Sequence, residues 1–151
     1  MKELEHWQEL LKKYNKAASK YLSILERQLQ HLQEDDVDKF MSLFDKKRRA
    51  TEKMSRLTPE LKSYKEKFLQ DEDENLPSPY GEEIQRLRRD NIELLRTSHE
   101  KLKELEKLIE KHKNKIGKEL SKLKQDRKVA ISYHPDPNFN GEEGVFFDKK
   151  S

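Results

Sequence analysis

From Glu82 to about Arg127 the chain runs without a proline, and its apolar residues return every three or four positions. The seam reads Ile84, Leu87, Asn91, Leu94, Ser98, Leu102, Leu105, Ile109, His112, Ile116, Leu120 and Leu123. Such steps place side chains on one stripe of an α-helix, because about 3.6 residues complete a turn. Two doubled steps of four stretch the period slightly past 3.5, favouring a straighter helix over a tight left-handed coil. A helix over about residues 82–128 would extend roughly 70 Å at about 1.5 Å per residue. Neither neighbour alone covers such a length, so part of the stripe is expected to remain for something else. This one element commits the chain to an elongated all-α fold.

The remaining segments supply neighbours. Leu4, Trp7, Leu11, Tyr14, Ala18, Tyr21, Leu25, Leu29 and Leu32 form a second stripe and predict a helix over about residues 2–33. Leu10, Ala17, Leu22 and Ile24 widen it beyond a two-stranded seam, which favours packing against more than one partner. Glu34-Asp35-Asp36 interrupts the pattern, and an aspartate there suits the cap of a helix over 36–57. Val37, Phe40, Met41 and Phe44 open its apolar face. Thr58-Pro59-Glu60 predicts a restart, with threonine as cap and proline in the first turn of a helix over 59–69. Leu61, Tyr64 and Phe68 share its face. Pro77, Pro79 and Gly81 mark residues 70–81 as a linker. The expected architecture is an elongated antiparallel bundle of three or four long helices over 1–131, followed by a non-helical tail over 132–151.

Composition narrows the function. Of 151 residues, 32% are hydrophobic and 42% charged, which suits thin apolar seams between solvated faces and no thick core. The helical spacing of those apolar residues argues against disorder. There is no cysteine, hence no disulfide framework, thiolate metal site or thiol nucleophile. No apolar run approaches the roughly 20 residues that span a bilayer, so no membrane insertion is expected. Met1 to His6 contains no apolar secretory region, and the cytoplasm is the expected compartment.

Chemistry finds little footing. The histidines are His6, His31, His99, His112 and His134, with no HExxH motif and no pair four apart. His112 alone lies on a seam, where a polar position bonding a neighbour is a plainer reading than a metal ligand. Carboxylates sit among lysines on mixed-charge faces, the pattern of a solvated surface and not of paired-acid catalysis. Phosphate-binding GxxxxGK[ST] loops and GxSxG elbows are absent. The sequence points away from an enzyme, and no catalytic, cofactor-binding or metal-binding residue is expected. Gly117 inside the long helix costs about 1 kcal/mol against alanine, and marks either a close helix crossing or a point of flexure.

The net charge is only +3, but it is unevenly spread. Residues 71–83 carry six acids and no base, whereas residues 111–128 carry eight bases against Glu119 and Asp126. A lysine-rich helix could track a nucleic-acid backbone. Here one arginine, no interleaved aromatics and partial neutralisation favour a solvated face, or a dock for the acidic linker. A membrane-surface helix would need bulky aromatics beside Ile116, Leu120 and Leu123. Phe139 and Val145-Phe146-Phe147 near the end read equally as a structural clasp or a recognition strip.

Taken together, these residues resemble the FliT- and FlgN-type flagellar export chaperones. The resemblance lies first in Leu29–Leu32, Glu34-Asp35-Asp36-Val37-Asp38, Phe40, Leu43, Phe44 and Arg48. It continues at Ile84–Leu87 with Asn91 and Leu94-Leu95, and ends in Leu120, Leu123, Arg127-Lys128, Ala130, Tyr133 and Gly144-Val145-Phe146-Phe147-Asp148-Lys149-Lys150. It implies an α-helical cytoplasmic chaperone binding the C-terminal helical region of a late flagellar substrate, such as the filament cap or a hook–filament junction protein. Such chaperones prevent premature assembly and deliver the substrate to export-apparatus components, and in some members the C-terminal segment restrains the binding face. On this reading Leu102, Leu105, Ile109, Ile116, Leu120 and Leu123 form the partner-facing stripe, with Phe146 and Phe147 competing for it. The alternatives are a structural coiled-coil protein closing on itself as a homodimer and, behind it, a nucleic-acid binder using residues 111–128.

Overall fold

The computed structural model describes residues 2–69, 76 and 79–126, with side chains as far as Lys122. Its elements are α1 (Lys2–Gln33), α2 (Val37–Ser42), α3 (Phe44–Phe68), α4 (Tyr80–Lys111) and α5 (Lys113–Asp126). The chain forms the all-α bundle of long helices that its seams predict. The expected tail over 132–151, most of the linker and the side chains of Leu123, Phe146 and Phe147 lie outside the described residues.

α1 is the shared wall. Its first turns bring Leu4, Trp7 and Leu11 against Ile84 and Leu87 of α4, with Leu61, Tyr64 and Phe68 of α3 packed alongside. Further along, Ala17, Ala18, Tyr21, Leu25, Leu29 and Leu32 join Ala50 and Met54 of α3, Leu102 and Leu105 of α4, and Phe40 of α2. α3 therefore runs antiparallel to α1, and α4 returns parallel to it. α3 and α4 approach α1 extensively and each other hardly at all. The width of the α1 stripe follows from this, since two helices need two faces. Trp7 anchors one end, 1% exposed and stacked on Phe68 at 5.8 Å and on Tyr64 at 6.2 Å between ring centroids.

The helix boundaries depart from the sequence-based expectation in four places. The helix predicted over 36–57 is divided at Leu43, whose side chain is buried. This break lets Val37, Phe40 and Met41 pack over the end of α1 before Ala50 and Met54 run back along it. Asp36 caps α2 through its Oδ1, which accepts the Lys39 N–H at 3.1 Å.

The predicted break at Thr58-Pro59 does not occur, and α3 passes straight through Pro59. Ala50, Met54, Leu57, Leu61, Tyr64 and Phe68 keep an unbroken step of four and three across it. A helical proline leaves the carbonyl four residues back without its N–H partner. Here that carbonyl belongs to Ser55, an exposed residue on the outer face, where water can serve it. Thr58 Oγ1 donates to the Met54 carbonyl at 2.8 Å. Packing of both halves of α3 on α1 outweighs the proline cost of about 3 kcal/mol.

α4 starts two residues early, so Gly81 is not a helix breaker but a buried position inside its first turn. A Cβ there would lie 2.6 Å from the Leu76 carbonyl oxygen, a close approach that only glycine permits. Finally, the long helix is not continuous. It is interrupted at His112, with φ −100° and ψ 15°. Hydrogen bonds from His112 N–H to Leu108 O and from Ile116 N–H to His112 O, both 3.0 Å, carry the backbone across the break.

Candidate partner-binding surface

The predicted partner-facing stripe divides into parts with different surroundings. Leu102 and Leu105 are 3% and 1% exposed and belong to the protein's own core, beside Tyr21, Leu25, Leu29 and Met54. Ile109 is half-buried against the same cluster. Ile116 is buried where α5 crosses α2. Leu120, one turn further, is 40% exposed. The structure thus brings four of these residues to one core and leaves Leu120 at its open margin.

This partition comes from the length of α1. The α1 C-terminus ends in a reversed turn where Asp35 N–H bonds Leu32 O at 3.0 Å and Asp36 N–H bonds His31 O at 2.7 Å. Asp35 takes the left-handed conformation, φ 60°, that glycine usually fills at this position. Its carboxylate reaches across to the long helix, 3.3 Å from His112 Nδ1 and 3.1 Å from Lys115 Nζ. The junction between α4 and α5 is therefore clasped to the end of α1. His112 thus lies on the seam with its ring against the Asp35 carboxylate. Beyond that clasp α1 is finished, and α5 packs chiefly on the short α2.

The outer surface of α5 is basic. Lys113 lies 3.9 Å from Glu110, and Lys115 is held by Asp35. Lys111, Lys118 and Lys122 are exposed and make no ion pair with a described residue. Lys113, Asn114, Gly117, Lys118, Ser121 and Lys122 line a shallow open depression. A Cβ on Gly117 would meet no described residue within 4 Å, so none of the described helices demands the glycine.

Sequence reasoning overlooks a second exposed apolar set. Ile92 and Leu95 of α4 are 52% and 37% exposed, and Phe44 of α3 is 37% exposed with its ring edge-on to Phe40. Ile92 and Leu95 fall beside the seam and not on it, so a search along the strongest stripe passes over them. Their spacing of three was the available signal. On the seam itself, Asn91 Nδ2 donates to Asn15 Oδ1 and Asn15 Nδ2 donates to the Leu87 carbonyl, both at 2.9 Å. That half-buried pair favours one α1–α4 register, with hydrogen bonds that an offset of one residue would break.

Fold and surface together define a helical bundle with a projecting amphipathic end. No helix among the described residues is long and apolar enough to cross a membrane. Comparison with known protein families, curated proteins and solved structures finds no match to this chain.

Proposed function

We propose that the protein is a cytoplasmic export chaperone of the FliT/FlgN type, holding the C-terminal helical region of a late flagellar substrate until export. The filament cap and hook–filament junction proteins are the candidate clients. The observation that carries this reading is the fate of the long stripe. It is closed by α1 as far as Leu105 and open from Leu120, leaving an unfinished seam of the kind into which an amphipathic helix docks. The resemblance in the Asp35-Asp36 break, the start of the long helix and the tail gives the reading its flagellar content.

The test is calorimetric titration of the full chain with C-terminal segments of cap and junction proteins. Micromolar or tighter binding to one segment, weakened at least tenfold by Leu120→Glu with helicity retained, is the expected outcome. Silence with every segment would sink the proposal.

A further inference from the structure

Resting on the partner-binding reading, we propose that α5 docks an acidic amphipathic helix of another protein, which crosses it at Gly117. Three observations converge. The apolar margin of α5 is open at Leu120. Next to it, Lys113, Gly117 and Ser121 succeed one another at steps of four, in line along one face, with Lys118 and Lys122 at its far edge. Lys118 and Lys122 pair with no carboxylate among the described residues, so a partner's acids would gain charge pairing there without breaking any pair among them. The glycine is the third observation. It weakens an exposed helix, and no contact within 4 Å among the described residues requires it, whereas an incoming helix gains close backbone approach there.

The chain's own acidic run cannot serve. Asp71–Glu74 lies between Leu69 and Leu76, both packed beside the Trp7 cluster at the start of α4. α4 has 32 residues, about 48 Å of helix, and separates that cluster from α5. The few residues between Leu69 and Leu76 reach only about 10 Å out and back at roughly 3.5 Å per residue. Charge complementarity with Lys113, Lys118 and Lys122 points instead to another molecule, with apolar residues at helical spacing flanked by aspartate or glutamate.

Two helical peptides with one apolar pattern, flanked by glutamate in one and lysine in the other, provide the probe for fluorescence anisotropy with the full chain. The acidic peptide should bind at least tenfold tighter than the basic one, and its affinity should fall as salt rises. The triple substitution Lys113→Glu, Lys118→Glu, Lys122→Glu should reverse the preference. Gly117→Leu should weaken binding at least tenfold while circular dichroism shows unchanged or greater helicity. Equal affinity for both peptides overturns the proposal, as does indifference to Gly117→Leu. So does a single-stranded oligonucleotide binding as tightly as the acidic peptide, which would mean polyanion attraction alone.

Two self-occupied outcomes also overturn it. One is a dimer in sedimentation velocity that the triple variant dissolves. The other is a wild type silent to the acidic peptide until Phe146→Ala and Phe147→Ala are introduced. The flagellar segments separate this proposal from the chaperone reading. If they bind but ignore the triple variant, only the α5 proposal fails. If they are silent while the acidic peptide binds, only the flagellar assignment fails.

Discussion

α1 and α5 are built from similar patterns and end in opposite situations. Both carry apolar residues every three or four positions on an otherwise charged helix. α1 is enclosed on two sides, and residues from Leu4 to Leu32 are buried along its full length. α5 is covered on one side by the six-residue α2, which shelters Ile116 and not Leu120. An amphipathic pattern therefore states only that a face should be covered. Who covers it depends on where the neighbouring helices stop.

The contrast should break first at Trp7. Trp7→Ala removes the ring that stacks on Tyr64 and Phe68, and should cost about 3–5 kcal/mol in urea denaturation followed by circular dichroism. A loss below about 1 kcal/mol would mean that this end of the bundle is not the anchor it looks to be. Within the long stripe, Leu105→Ala should cost about 2–5 kcal/mol, while Leu120→Ala stays within about 0.5 kcal/mol. Similar losses at both positions would erase the distinction between core and open margin.

Pro59→Ala tests whether packing on α1 carries α3 through its proline. It should raise stability by about 1–3 kcal/mol, the helical gain being offset in part by a freer unfolded chain. An unchanged or lower midpoint would show that the proline conformation is itself required. Asp35→Gly exchanges a left-handed aspartate for the residue that prefers that geometry, and removes the clasp on His112 and Lys115. Global stability should move by no more than about 1 kcal/mol, because the Asp35 carboxylate is itself exposed and such pairs contribute little. Amide exchange in α5 should nonetheless speed up relative to α1. Equal exchange would mean that the clasp does not hold α5.

The smallest effect concerns pH. Burial pushes the Tyr14 hydroxyl above its ordinary value, against a lesser opposing pull from its hydrogen bond with Thr58. A folded-state pKa above the unfolded one means that stability is intact below about pH 10 and declines as pH rises further. Tyr14→Phe should flatten that alkaline decline and leave α5 unaffected, as a midpoint series from pH 8 to 11 would show. A slope unchanged by the substitution would place the titrating group elsewhere.

Much of the fold could be read before any coordinates, because helical periodicity is a local property. The α1 stripe from Leu4 to Leu32, its width and the acidic break before Val37 follow from residue spacing and capping chemistry alone. Pro59 misleads because the local rule for proline conflicts with the 50, 54, 57, 61, 64, 68 pattern that runs through it. Gly81 misled for a related reason, since glycine as a breaker and glycine as a close-approach site look identical in one dimension.

What sequence could not divide was the stripe from Leu102 to Leu120. Its residues share one chemistry, and the helix presents them as one line. The turn at Asp35 ends α1 opposite His112, α2 covers one further turn, and Leu120 falls beyond both. Periodicity is written in neighbours along the chain and so determines which residues seek burial. Burial itself is decided by neighbours in space, and those are set by where another helix ends.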